Sequence, residues 1–369
     1  MINKVWIQNY RNFTEATINC DEGAHVFLLG QNNQGKTNFL ESIHALSHLK
    51  GPEQSDISQL VKEGADHSNL AVDFTTNGEQ NRLYIQLFSD KTKSVSLNSE
   101  PLKSYRSLLS SLPVYHVCAD TIRAFQGAAD GRRRLLNQFL SQENGEYHTL
   151  WKEYQKLIKQ KNTLLKTISA PSPVLQVINQ QLVDLSSKII PLRIKCLRDV
   201  KDVLSTLVPL FPSFEYKSLD IQYQSKFVVE SSESYRESLA LCLAQNMQKE
   251  LQAGISLYGP HRDDFMVYVN ELPIQGRWSR GVNRIMAILL ILSMILIRND
   301  EERRPVLLVD DAFAEVDDTF KSVIIPLLQQ YTQVFYATTL VEDRHFFLDP
   351  TVSMRVSSGT LQPLEAKDL

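Results

Sequence analysis

The first hundred residues show an apolar–polar pattern that predicts β-strands and one early helix. Residues 5–10, VWIQNY, alternate between the two classes, and residues 25–30, HVFLLG, form a short apolar run that ends in glycine. Both patterns are typical of strands. Further strand-like stretches lie between residues 70 and 100. After the second strand, apolar residues recur at helical spacing at Phe39, Leu40, Ile43, Leu46 and Leu49.

The middle of the chain changes to a helical pattern. It runs from Gly131 to about Leu207 and is interrupted near Pro171–Pro173 and at Pro191. The final third returns to α/β, with an apolar helix, the strand PVLLVDD, a second helix and the strand QVFYATT. The helical stretch has no sustained heptads, so we expect an insert without a long coiled coil.

One segment has the composition of a membrane span but not its length. Residues 285–297, IMAILLILSMILI, are 13 uncharged residues between Arg284 and Arg298. A span needs about 20 apolar residues, so this run predicts a buried core helix. The N-terminus lacks the apolar core of a signal peptide. We therefore expect no membrane partner.

Composition adds little except through charge and cysteine. The net charge is −3, which gives no global nucleic-acid footprint, so a DNA-binding surface has to be a local patch. Residues 147–208 hold ten basic and four acidic residues, which fits a solvated helical face and a DNA-facing surface equally well. The four cysteines are far apart and form no C-x-x-C pair, which indicates reduced thiols in the cytoplasm.

A glycine-rich loop carries the clearest chemistry. Residues 30–37, GQNNQGKT, fit the pattern G-x-x-x-x-G-K-[ST] between a predicted strand and a predicted helix. Gly30 and Gly35 permit a tight turn whose amides converge on phosphate oxygens. Lys36, expected to extend toward solvent, supplies positive charge at the β- and γ-phosphates, and the Thr37 hydroxyl can bind Mg²⁺. The loop predicts ATP and Mg²⁺ as cofactors.

A second motif completes the nucleotide site. The strand at residues 306–309, VLLV, ends in Asp310, a candidate Mg²⁺ ligand, and Asp311, which would position or deprotonate the attacking water. Asp310 lies 274 residues after Lys36, so a large insertion separates the two motifs. Ser279-Arg280-Gly281 precedes the apolar helix, and Glu315-Val316-Asp317 follows the strand. That order is typical of ABC-type ATPase heads, in which ATP is held between two molecules.

Five segments resemble the RecF family of bacterial recombination-repair ATPases. Four of them resemble its N-[FY]-R-N-[FY] stretch, its phosphate loop, its glycine-then-RRR segment and its D-D-[VA]-F-A-E-L-D strand end. The fifth is identical to its G-P-H-R-D-D hexapeptide. In this chain the segments are NYRNF at 9–13, GQNNQGKTN at 30–38, FQG at 125–127 before RRR at 132–134, GPHRDD at 259–264 and DDAFAEVD at 310–317.

The resemblance implies a fold and an activity. The fold is an α/β ABC-type ATPase head: a discontinuous lobe I with a mixed sheet at residues 1–115 and 255–369, and a helical lobe II inserted at 116–254. The activity is that of a weak ATPase switch and ATP-driven homodimeric clamp. It would bind DNA at single-strand gaps, work with the RecR and RecO mediators in recombinase loading, and support replication restart and SOS induction.

The resemblance also implies site residues. Asp311 and Lys36 would be catalytic, and Thr37 and Asp310 would bind the metal. Nucleotide contacts would come from Arg11, Asn12, Gly30, Asn32, Asn33, Gln34, Gly35, Lys36, Thr37 and Asn38, and across the dimer from Ser279 and Gly281. Candidate DNA contacts are Lys152, Lys156, Lys159, Lys161 and Lys166. Arg132–Arg134 would either brace the lobes or contact phosphate.

Several positions depart from the family pattern. Asn33 replaces a usual glycine, Val282-Asn283 replaces the residues after S-R-G that normally begin with glutamine, and 50–53 read KGPE where a basic stretch is expected. No histidine follows the strand that ends at Thr338-Thr339, so the γ-phosphate sensor is unassigned. Two alternative functions stay open: an ABC-class ATPase of another DNA-processing, antiphage or transport complex, and an architectural DNA protein that binds ATP but hardly hydrolyses it.

Overall fold

The computed structural model describes residues 1–21, 24–48, 59–102, 108, 111–211, 217–227, 229–274, 278–297 and 304–365. They fall into two units, one joining Met1–Ile122 to Arg298–Leu369 and the other formed by Arg123–Ile297. The first unit is discontinuous in sequence. Residues 255–297, which we expected in lobe I, are grouped with the helical insert because the apolar helix packs on the longest helix of that insert.

The predicted strands and helices occur in the predicted order, but the helical stretch is not interrupted at Pro191, which lies inside the continuous helix Pro173–Leu207. The strands are β1 (Ile2–Tyr10), β2 (Phe13–Asn19), β3 (His25–Leu29), β4 (His67–Thr76), β5 (Glu79–Phe88), β6 (Lys93–Leu97), β7 (Glu100–Pro101), β8 (Val114–Cys118), β9 (Leu219–Gln224), β10 (Asp264–Val269), β11 (Leu272–Pro273), β12 (Val306–Asp310), β13 (Gln333–Thr338), β14 (Thr351–Ser357) and β15 (Thr360–Pro363). The α-helices are α1 (Lys36–His48), α2 (Ala119–Gln126), α3 (Ala129–Glu143), α4 (Gly145–Thr167), α5 (Pro173–Leu207), α6 (Ser232–Gln245), α7 (Met247–Ala253), α8 (Arg280–Leu296) and α9 (Asp318–Tyr331).

Two six-stranded sheets form the first unit. One is antiparallel, with the order β2-β1-β4-β5-β6-β7, and the other has the order β15-β14-β3-β13-β12-β8. The second sheet is mixed: β14, β3, β13, β12 and β8 are parallel, and β15 is antiparallel at its edge. Helix α1 contacts strands of both sheets, and its apolar face shares one buried core with them. This packing fixes the start of α1 above the ends of the parallel strands.

The second unit is mainly helical. Its longest helix, α5, contacts α4, α6 and α8. A three-stranded sheet with the order β11-β10-β9 lies in the same unit. Helix α8 carries the apolar run, and Met286–Ile295 are buried, so the prediction of a core helix is confirmed. Among the described residues, no helix is long and apolar enough to cross a membrane.

The hexapeptide at 259–264 is a structural hub of this unit. The Asp264 carboxylate receives two hydrogen bonds from the Arg132 guanidinium, at 2.7 and 2.9 Å. Asp263 accepts from the hydroxyls of Tyr223 and Ser225, both at 2.9 Å. A Cβ at Gly259 would lie 2.6 Å from the hydroxyl oxygen of Tyr154, so only glycine fits there. The motif thus joins helices and sheet through buried polar contacts, which explains why these residue types occur together.

Candidate nucleotide site

The phosphate loop and the two aspartates meet at one edge of the mixed sheet. Strand β13 lies between β3, which leads into the loop, and β12, which ends in Asp310. The Gly30 amide donates to the Thr338 carbonyl, and the Asp311 amide donates to the Ala337 carbonyl. Because the three strands are parallel, their carboxyl ends place both motifs at the same edge.

The loop conformation requires the small residues at its two glycine positions. A Cβ at Gly30 would lie 2.5 Å from the Val356 carbonyl oxygen, and Gly35 has a φ of +115°. Asn33, which replaces a usual glycine, has a φ of +63°. Asparagine adopts this left-handed conformation more readily than most residues, so the substitution leaves the loop intact.

Lys36 differs from its expected position. It is only 3% exposed, and its ammonium donates to the carbonyls of Gly30 at 2.8 Å and Gln31 at 3.2 Å. It also lies 3.5 Å from the Asp311 carboxylate. The expectation that the lysine extends into solvent is wrong, because the loop closes around the side chain and its backbone carbonyls bind the charge.

The two aspartates are placed for cation and water chemistry. Burial raises the pKa of Asp310, while a hydrogen bond from Thr37 and the charge of Lys36 act in the opposite direction. Burial also raises the pKa of Asp311, again against the charge of Lys36. Asp311 has a φ of +47°, a left-handed conformation that is uncommon for a residue other than glycine. Such local strain is typical of functional sites.

The donor set fits a Mg²⁺–nucleotide. The buried Oδ1 atoms of Asp310 and Asp311 have no hydrogen-bond partner among the described residues, and Thr37 is exposed at the first turn of α1. Buried carboxylate oxygens without partners are costly unless a cation or donor meets them. No group of three His, Cys, Asp or Glu side chains in the described part of the chain could hold a metal alone. In nucleotide sites, substrate phosphates usually complete the coordination of Mg²⁺.

The NYRNF stretch braces the loop. Asn12 donates to the Gln34 carbonyl at 3.1 Å and accepts from Asn38 at 2.8 Å. Arg11 pairs with Glu41 at 3.0 Å. The remaining predicted loop residue, Asn32, is exposed.

The turn between β14 and β15 also holds the loop, and the sequence did not indicate it. The Gly359 amide donates to the Gln34 carbonyl at 3.0 Å, and the Ser358 amide donates to the Gln34 side chain at 2.7 Å. Gly359 has a φ of +74°, and a Cβ there would lie 2.3 Å from the Asn12 carbonyl oxygen. The S-G pair at 358–359 was the only available signal, and it is common in turns.

Two polar groups behind the strand ends were also missed. The Nε2 atom of His116, on β8, lies 4.0 Å from the Asp310 carboxylate. Burial lowers the pKa of His116 to about 4, so its imidazole ring is neutral at pH 7. Asp343 is buried and accepts from Lys321 at 2.7 Å and from Thr338 at 3.0 Å. Thr339, directly after the end of β13, is exposed.

Ser279 and Gly281 lie in the second unit, at the start of α8. Ser279 is the N-cap residue, and its hydroxyl accepts from the Val282 amide at 3.3 Å. Both residues are exposed, and a Cβ at Gly281 would meet nothing within 4 Å in the described parts of the chain. Asn283 donates to the Trp278 carbonyl at 3.0 Å.

The five candidate DNA lysines separate into two groups. Four of the five are exposed on α4: Lys152, Lys156, Lys159 and Lys166. Lys161 is fully buried and forms an ion pair with Glu250 at 2.6 Å. The assignment of Lys161 as a DNA contact is therefore wrong, because its ammonium is inside the helical unit. Residues 50–53 lie outside the described part of the chain.

Comparisons with known proteins agree with the motifs. The family model of the RecF/RecN/SMC N terminal domain matches residues 1–355. A DNA replication and repair protein RecF from Staphylococcus carnosus is 30% identical, with 98% of this chain and 99% of the relative covered. One from Staphylococcus aureus strain JH9 is 29% identical with the same coverage.

Solved structures show the same fold. The recombination mediator protein RecF-ATPrS of the RecFOR pathway matches with a TM-score of 0.88 at 24% identity, covering 99% of this chain and 98% of that one. An Smc head domain from Pyrococcus furiosus matches with a TM-score of 0.57 at 13% identity, covering 98% and 95%. The predicted fold, an ABC-type ATPase head with a helical insert and no long coiled coil, is confirmed. By its motifs, its fold and its relatives, this chain belongs to the RecF family.

Proposed function

We propose that this chain is an ATP-dependent DNA-binding protein of recombinational repair, in which ATP closes two copies into a clamp on DNA. The observation that carries the nucleotide part is the pair of buried, unpartnered Asp310 and Asp311 oxygens beside Lys36. By family membership, it would act in the cytoplasm at single-strand gaps or junctions. There it would aid recombinase loading with RecR and RecO and support replication restart and SOS induction.

Each residue of the loop edge has a proposed role. Lys36 binds the β- and γ-phosphates, exchanging its contacts with the loop carbonyls for phosphate oxygens. Thr37 and Asp310 hold Mg²⁺, which neutralises phosphate charge when bound. Asp311 accepts a hydrogen bond from the attacking water and positions it. The contacts of Asn12 and Gly359 with the loop support this proposal, since both hold the loop through its Gln34 carbonyl and use none of its amides.

The dimer proposal rests on the start of α8. An N-cap hydroxyl and the first amides of a helix form an anion site. Gly281 leaves open space around its Cα, so the described parts of this chain give no reason for a glycine at that position. A second molecule approaching closely supplies the reason. We propose that Ser279 and Gly281 of one copy contact the γ-phosphate bound by Lys36 and Thr37 of the other.

Ser279→Arg should block closure without preventing nucleotide binding. The bulky cation would fill the seam between the two copies, whereas the phosphate loop of each copy stays unchanged. We expect a fluorescent ATP analogue to bind with parental affinity, while sedimentation with ATP shows no dimer. Loss of the cap alone costs about 1 kcal/mol, and Ser279→Ala serves as the control for that effect. If Ser279→Arg forms ATP-dependent dimers at the parental level, Ser279 does not lie at the interface between the two copies.

The DNA-binding surface is proposed to be the basic stripe of α4, defined as Lys152, Lys156, Lys159 and Lys166. Relative to Lys152 these positions are i, i+4, i+7 and i+14, so they share one face of the helix. All four are exposed. Lysines at this spacing can meet successive backbone phosphates, and such binding is electrostatic and independent of sequence.

Charge reversal in the stripe should weaken DNA binding and flatten its salt dependence. Each lost phosphate contact changes the log–log slope of affinity against salt by about 0.7 to 0.9. Lys156→Glu with Lys159→Glu should therefore reduce the slope by about 1.5 in fluorescence anisotropy titrations. Lys188→Glu changes an exposed lysine of α5 and should leave the slope unchanged. A slope equal to the parental one in the double variant would show that the basic stripe does not contact DNA phosphates.

Weak hydrolysis is favoured by one contact at the start of α8, next to Ser279-Arg280-Gly281. The Asn283 amide is engaged with the Trp278 carbonyl, and it stands close to the position where the family usually has glutamine. The same contact favours the alternative of an architectural DNA protein that binds ATP but hardly turns it over. Phosphate release measured with and without gapped DNA separates the two, because only the switch should respond to DNA.

A further inference from the structure

The end of β13 supports both halves of the candidate nucleotide site. The Thr338 carbonyl accepts a hydrogen bond from the Gly30 amide at 3.2 Å, at the start of the phosphate loop. The Ala337 carbonyl accepts from the Asp311 amide at 3.0 Å. A residue that follows this strand end therefore lies between the phosphate loop and the two aspartates.

One face of β13 meets a buried carboxylate. The hydroxyls of Tyr336 and Thr338 donate to the same oxygen of Asp343, at 2.8 and 3.0 Å. Residues two apart in a strand share a face, so Asp343 lies on the face of these two hydroxyls. Its other oxygen accepts from the Lys321 ammonium of α9 at 2.7 Å. The Thr338 hydroxyl also accepts from the Leu340 amide at 3.1 Å, so Asp343 helps to fix the backbone on both sides of position 339.

The opposite face of β13 belongs to the side of the sheet that carries the nucleotide site. Phe335 and Ala337 lie in the buried core shared with α1, and so does Leu308 of β12. Continuing the alternation by two residues reaches Asp310 on β12 and Thr339 directly after β13. Thr339 therefore follows the same side of the sheet as Asp310 and the start of α1.

Folding of this unit gives no reason for a hydroxyl at Thr339. All six residues of β13 are buried, whereas Thr339 is exposed. Its hydroxyl forms no hydrogen bond with any residue in the described part of the chain. The strand end is tied to Asp311, which we propose to position the attacking water. Because that water attacks the γ-phosphorus, a donor at this strand end meets the γ-phosphate.

We propose that the Thr339 hydroxyl donates a hydrogen bond to the γ-phosphate of ATP, and that Asp343 positions Thr339 by holding Thr338. A hydroxyl can donate to a phosphate oxygen without adding charge to the site, and Lys36 supplies the charge. This inference rests on the proposed nucleotide-dependent function. It adds a residue that distinguishes ATP from ADP within one copy of the chain.

Affinities for ATP and ADP test the γ-phosphate contact. Isothermal titrations with Mg²⁺ in the Ser279→Arg background measure the site of a single copy. Thr339→Val should weaken ATP binding by about 10- to 150-fold, the range for a hydrogen bond to a charged group. ADP affinity should stay at the value of the background, because ADP has no γ-phosphate. Thr339→Ser keeps the hydroxyl and should keep the ATP affinity.

The control for Thr339→Val is Thr206→Val, which removes an exposed hydroxyl of α5 outside the nucleotide site. It should change neither affinity. If Thr339→Val leaves ATP affinity unchanged, or weakens ATP and ADP binding equally, the γ-phosphate contact is wrong. If the background protein binds neither nucleotide, the proposed function itself fails.

Thr338→Val tests the positioning role of Asp343. Valine keeps the shape of threonine but removes the hydroxyl that joins Asp343 to the Leu340 amide. The ratio of ATP to ADP affinity should fall, and Thr338→Ser should restore it. Adding Thr338→Val to Thr339→Val should lower the ratio no further, because both changes act on one contact.

The matched control for Thr338→Val is Thr332→Val, which removes a fully buried hydroxyl at the end of α9. It should leave the ratio of ATP to ADP affinity at the value of the background. An unchanged ratio in Thr338→Val, or a further loss in the double variant, would overturn the positioning role of Asp343.

Discussion

Asp311→Asn should lower the rate of ATP hydrolysis by about 10²- to 10⁴-fold, the range typical of a lost general base. Asparagine has the same shape as aspartate and tolerates the left-handed φ of +47° at this position. Asp310 and Thr37 are unchanged, so Mg²⁺ and ATP should still bind. Phosphate release at saturating ATP with gapped DNA measures the effect.

The control for this substitution is Asp318→Asn. Asp318 lies in the first turn of α9, and its side chain is 81% exposed. The same loss of one negative charge there should leave the rate of hydrolysis at the parental value. A parental rate in Asp311→Asn would mean that another group positions the attacking water.

Lys36→Met should weaken ATP binding by about 10- to 150-fold. A hydrogen bond to a charged group contributes about 1.5–3 kcal/mol, and Lys36 provides the ammonium for the phosphates. Methionine has a similar volume, so it avoids the cavity that alanine would leave around a side chain that is 3% exposed. Isothermal titration with ATP and Mg²⁺ measures the affinity.

The control for Lys36→Met is Lys188→Met on α5. It also removes one lysine charge, but it does so at an exposed position outside the nucleotide site. Thermal unfolding should accompany both titrations, because the Gly30 and Gln31 carbonyls lose their donor in Lys36→Met. An unchanged ATP affinity in a folded Lys36→Met protein would remove Lys36 from the site.

The parts of the site that local patterns specify could be predicted from sequence. The loop at 30–37 and the strand end at Asp310-Asp311 each combine chemistry and secondary structure within about ten residues. Their meeting across β13 follows from the rule that parallel strands place their carboxyl ends at one edge. The conformation of Asn33 could also be anticipated, because asparagine is among the few residues that accept a positive φ.

The parts that depend on distant partners could not be predicted. Lys161 counted as a basic surface residue because its partner, Glu250, is 89 positions away in the sequence. Gly359 donates a hydrogen bond to the Gln34 carbonyl and lies close to the Asn12 carbonyl. No local sequence pattern predicts these contacts. The position of Lys36 was mistaken because the motif specifies its target, the phosphates, but not the carbonyls that bind its ammonium in this loop.

The grouping of α8 with the helical unit could not be predicted for a similar reason. Its sequence predicts a buried helix, and the family resemblance implied that it belongs to the α/β lobe. The unit to which a helix belongs depends on the elements against which it packs, and α8 packs against α5. A helix that is apolar on nearly all faces fits either core by composition, so only the three-dimensional contacts of residues 286–295 resolve the choice.

The central claim is that ATP closes two copies through composite sites. Sedimentation velocity of Asp311→Asn, with ATP and Mg²⁺, with ADP and Mg²⁺, and without nucleotide, tests it most directly. We predict a species of twice the 42.1 kDa chain mass only with ATP, because the closed form accumulates when hydrolysis is blocked. A single species of one chain mass under saturating ATP would contradict the account.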